Sequence, residues 1–124
     1  MNGIQNTATI LKEFWNSFGI PAYVEFTIPE EAELPYITYE LVKPDWAEQA
    51  PYYARLWYRD TLMTNIMAKA DEISNRIGSG IRLEKNGTYI YLFKDSNFFQ
   101  FLPNEIEDPT QKLGYLSMII RSIA

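Results

Sequence analysis

The sequence predicts an α+β domain, a mainly antiparallel sheet with two helices packed on one face. Three observations lead there. Two segments carry apolar residues at helical spacing, and the other apolar segments alternate with period two. Asn86-Gly87 lies between two such alternating runs, a pattern that closes hairpins. No glycine-rich phosphate loop or repeated βα unit points to a doubly wound sheet. The length of 124 residues suits one domain, 1–124.

The elements follow in order. Leu11, Trp15 and Phe18 recur at helical spacing after Asn6 or Thr7, either of which can cap a helix. Gly19 and Pro21 end it. From Ala22 to Ile28 the period becomes two, with Val24, Phe26 and Ile28 expected on a buried face. A second strand is expected over Tyr36 to Val42 and a third over Tyr52 to Arg59. On the third, Ala54, Leu56 and Tyr58 alternate with Tyr53, Arg55, Trp57 and Arg59. Asp60 or Thr61 is expected to cap the second helix. Its stripe is Leu62, Ile66, Ile73 and Ile77, broadened by Met63, Met67 and Ala70, and Gly78-Ser79-Gly80 ends it. Ile81–Glu84 and Thr88–Phe93 form the hairpin. Asn97 to Leu102 is a short aromatic stretch. Lys112 to Ile123 reads as a long closing strand with Leu116, Met118 and Ile120 on one face.

Composition narrows the function. The net charge of -5 lacks the basic stripe of a phosphate-gripping domain, so nucleic-acid binding is disfavoured. Cysteine is absent, which excludes disulfides and thiolate chemistry. Histidine is absent too, which removes the commonest general base and metal ligand. Neither a membrane span nor a secretion signal is recognised, and an intracellular site of synthesis is expected. Aromatic residues make up 15% of the chain, more than a core of this size needs, and some are expected at an interface.

Two acidic clusters stand out: Glu30, Glu31 and Glu33, and Glu105, Glu107 and Asp108. Paired carboxylates could hold a divalent cation or hydrolyse a glycoside. Neither cluster has calcium-loop spacing, and both sit beside prolines, so solvated loops are the plainer reading. Glu72 and Arg76, four apart, are spaced for a surface ion pair. Phe99 and Phe101 fall on one face of an extended segment and Phe98 on the other. The Arg55, Trp57 and Arg59 face is either surface packing or a subunit contact, since Tyr, Trp and Arg anchor interfaces. No cofactor and no metal are expected.

The run Leu34-Pro35-Tyr36-Ile37-Thr38-Tyr39-Glu40-Leu41 resembles the early strand of small tail proteins from long-tailed bacteriophages. So does Trp57-Tyr58-Arg59-Asp60-Thr61 leading into Asn65-Ile66 and Lys69-Ala70-Asp71-Glu72-Ile73. The resemblance is to tail terminator, or tail-completion, proteins of the head–tail junction, and it covers most of the chain in element order. Asn97-Phe98-Phe99-Gln100-Phe101 departs from that family's closing pattern. The resemblance implies a structural virion protein without catalysis. It implies a ring, typically a hexamer, that caps the tail tube and joins it to the head. The partners are then further copies of the chain, the tail tube protein and a head-completion protein, with no membrane and no sequence-specific nucleic acid. It places subunit contacts on the strand with Arg55, Trp57 and Arg59, and tube docking on the loop with Trp46. The two acidic loops would line a channel that DNA passes without sticking, or lie on the outer surface. A neck adaptor in the same particle and an acidic inhibitory binding protein are the alternatives, followed by a carboxylate enzyme.

Overall fold

The computed structural model of the chain describes residues 3–41, 49–101 and 110–123. Trp46, Glu105, Glu107 and Asp108 lie outside the described residues. The elements are α1 (Gly3–Trp15), a 3-10 turn (Asn16–Phe18), β1 (Ala22–Val24), β2 (Tyr36–Tyr39), β3 (Gln49–Arg59), α2 (Thr64–Ile77), β4 (Ile81–Lys85), β5 (Thr88–Phe101) and β6 (Gln111–Ile123). The strands form one sheet in the order β1-β2-β3-β6-β5-β4. Among the described strands only the β1–β2 pair is parallel. The expected α+β architecture is the one observed.

Both helices lie on one face of the sheet because each carries one apolar stripe. In α1 the stripe is Thr7, Ile10, Leu11, Phe14 and Trp15, all buried at i, i+3, i+4, i+7 and i+8. Trp15 stacks on Tyr39 and Tyr52 at centroid distances of 6.2 and 6.4 Å. In α2 the stripe is Ile66, Ala70, Ile73 and Ile77. The strands supply alternate residues to the same core: Ile37 and Tyr39, then Tyr52, Ala54, Leu56 and Tyr58, and from the other half Ile90, Leu92, Leu116, Met118 and Ile120. Lys69 crosses from α2 to donate to the Phe18 carbonyl at 2.6 Å, which ties the two helical segments together.

Several local expectations are corrected. Helix α1 begins at Gly3, and Asn6 and Thr7 lie inside it. There Asn6 donates to Thr88 Oγ1 at 3.1 Å rather than capping. Strand β1 stops at Val24. The chain turns back as the Thr27 N–H bonds the Val24 carbonyl at 3.1 Å, which places Phe26 at φ +67°. Phe26 is 97% exposed, not buried. Helix α2 starts at Thr64, and Leu62, Met63 and Met67 are exposed. The Asp60 carboxylate instead accepts from the Leu62 N–H and the Asn65 side chain. Glu72 pairs with Lys69 at 2.8 Å, while Arg76 lies over the Phe14 and Phe18 rings.

The hairpin matches its sequence signal. Asn86 (φ +50°) and Gly87 (φ +85°) form the two-residue turn, with Lys85 opposite Thr88. Strand β5 is longer than expected and takes in the aromatic stretch through an irregularity. Between the pairs Lys94–Met118 and Phe99–Leu116, β5 advances from 94 to 99 while β6 runs only from 118 to 116. The odd count on β5 switches the face that its residues present. Phe99 therefore packs against the helix-side core.

Candidate interaction surface

Among the described residues, no helix packs on the second face of the sheet. Its residues follow from the alternation of each strand and from the register between strands. On β3 they are Tyr53, Arg55 and Trp57, opposite Ser117, Tyr115 and Leu113 of β6. On β2 they are Tyr36 and Thr38, with Tyr23 of β1 beside Thr38. On the far side are Tyr89, Tyr91 and Phe93 of β5, with Arg82 and Glu84 of β4. Most helix-side residues are buried, whereas among the described residues of this face only Thr38 is. Every aromatic ring on it stays partly exposed.

The rings on this face fall into three contact groups. Tyr23 meets Tyr36 edge-on at 5.6 Å, Tyr36 lies 6.2 Å from Trp57, and Tyr53 lies 5.1 Å from Tyr115. Tyr91 and Phe93 stack at 6.2 Å. Phe93 in turn lies over Gly80, where a Cβ would fall 2.6 Å from the ring, so only glycine fits beneath it. Strand β3 alone is about 36 Å long and the six strands span about 24 Å. That is of the order of the roughly 800 Å² per partner that stable interfaces use.

The polar groups at the centre of this face are already partnered. The Arg55 guanidinium pairs with the Glu25 carboxylate and sits 5.6 Å from the centre of the Tyr115 ring. The Trp57 indole donates to Thr38 Oγ1 at 2.9 Å. Burial and then the neighbouring Tyr53 push the Tyr115 hydroxyl up to about 12, so it stays protonated at neutral pH. Satisfied polar groups lower the cost of taking such a face out of water.

Of the residues singled out in the sequence, Arg55 and Trp57 share this face, and exposed Arg59 ends the same strand opposite Gln111. Glu30, Glu31 and Glu33 are exposed in the loop between β1 and β2. Tyr23, Tyr36, Tyr91, Phe93 and Tyr115 were not singled out. Their alternation was visible in each strand, but their neighbours depend on register. Glu25 was expected to lie along a strand, and only the turn after β1 aims it at Arg55.

No group of three metal-ligating side chains converges among the described residues, and none of their buried side-chain polar atoms lacks a partner. A hollow of about 460 Å³ lies between Tyr23 and the loop of Pro29 to Pro35, and another of about 230 Å³ lies between Phe14 and Leu83. No described helix is long and apolar enough to cross a membrane. Comparison with models of protein families and with curated proteins found no match for this chain.

Proposed function

We propose that this chain is a structural assembly protein that associates with copies of itself through the open face of its sheet. The single observation that carries the reading is that face, with groups of partly exposed rings set around Arg55 and Trp57. Tyr, Trp and Arg are the side chains on which interface energy concentrates, and long strands give them a rigid platform. Together with the sequence resemblance, it favours a tail terminator or tail-completion ring. In that role the ring caps a phage tail tube, halts its growth and presents a surface to the head-completion protein. The work is done by binding alone: one side of the ring repeats the tube contact and the other refuses a further tube ring. The formal charge of -5 suits a passage for DNA that must not stick.

The test is a capping assay. Added to polymerising tail tube protein, the chain is expected to shorten the tubes and appear at one end of each. Trp57→Ala is expected to abolish capping while leaving the circular dichroism spectrum unchanged. Tubes of unaltered length in the presence of the wild-type chain would contradict the reading.

A further inference from the structure

The β4 side of the open face carries two exposed arginines, and an exposed acidic loop leaves the β1 edge. At the β4 edge, register places Arg82, Tyr91 and Arg121 in one row across β4, β5 and β6 on the open face. Arg82 and Arg121 are exposed, and no described carboxylate lies within ion-pair distance of either. Arg82 sits over the Tyr89 ring at 4.5 Å, which fixes its guanidinium on this face. Glu84, two residues along β4, is the carboxylate nearest in sequence on the same face. At the β1 edge, the loop carrying Glu30, Glu31 and Glu33 is exposed and has no cation partner among the described residues.

The geometry points to a head-to-tail contact in which the Arg82–Tyr91–Arg121 row receives the Glu30–Glu33 loop of a second copy of this chain. The occupant follows from charge complementarity. On this face Arg55 is already paired with Glu25, whereas Arg82 and Arg121 have no described carboxylate within ion-pair distance, and the chain carries a matching acidic loop at the β1 edge. One copy cannot satisfy both, because β1 and β4 are the two ends of a six-stranded sheet. Joining unlike edges makes a heterologous contact, and such contacts close into a ring when the rotation per copy allows. The charged contact sets register and encounter rate, while the aromatic rings between the edges supply the affinity. Exposed ion pairs are screened, so the contact weakens as salt rises.

This inference rests on the self-assembly reading, and the experiment separates the two. Two variants are made on the full chain, E30K/E31K/E33K and R82E/R121E, with folding checked by circular dichroism. Each alone is expected to self-associate about tenfold more weakly, or worse, at low salt. Mixed in equal amounts, they are expected to recover assemblies in which the two alternate, because the reversed loop of one matches the reversed row of the other. Wild-type-like assembly by either variant alone, or a mixture that fails to recover, overturns the contact and leaves self-assembly standing. A wild-type chain that never self-associates overturns both. Binding of a DNA duplex that R82E/R121E loses, with self-association unchanged, would assign the arginine row to phosphate instead.

Discussion

Residue by residue, the tightest polar chain links the helix layer to the open face. The Trp15 indole donates to the Tyr52 hydroxyl at 3.1 Å, and that hydroxyl donates to the Glu40 carbonyl at 2.8 Å. The Glu40 carboxylate then accepts the Tyr53 N–H at 2.9 Å. Burial raises the Glu40 carboxyl above its ordinary value. The Tyr53 N–H opposes the rise, Glu25 adds to it and Arg55 opposes it. A raised carboxyl is easier to keep protonated when folded. Its contribution to stability is therefore present below the ordinary 4.5 and is lost as pH rises through the folded value. Glu40→Gln keeps the acceptor oxygen and removes the charge. It should match the wild type in melting temperature near pH 4 and exceed it near pH 7. A deficit that grows from pH 4 to pH 7 would show instead that the ionised carboxylate stabilises the fold. None of this was legible in the sequence, where Glu40 reads as one more polar residue within a strand over Tyr36 to Val42.

Among the elements, the irregularity in β5 is the feature with the largest consequence. It lets one strand serve the core with Ile90 and Leu92 and then, on switched alternation, with Phe99. Gly114 of β6 makes room for this. A Cβ there would fall 2.5 Å from the Phe99 ring and 3.2 Å from Ile66 Cδ1. Gly114→Ala should overpack the junction and cost about 1–3 kcal/mol, read as a lower urea midpoint with an unchanged slope. An unchanged midpoint would mean that Phe99 moves aside freely. The hairpin turn, the α2 stripe and the closing strand were legible because each depends on residues close in sequence. The start of α2 was not, because Asp60 spends its carboxylate on Leu62 and Asn65 before the helix begins. The early end of β1 was missed for a similar reason, since alternation continued through Phe26 although the backbone had already turned.

At the scale of the whole molecule, the sheet has one covered face and one open face. The covered face holds the core, and its composition was plain from the aliphatic alternation. The open face was only partly legible. Arg55 and Trp57 marked one strand of it, but the rings beside them come from four other strands that register alone brings together. The measurement that tests the central claim most directly is the solution mass of the pure chain over a wide concentration range. The account predicts a concentration-dependent step from monomer to a closed ring of about six copies. A monomer at every concentration would contradict the claim that the open face is a contact between copies.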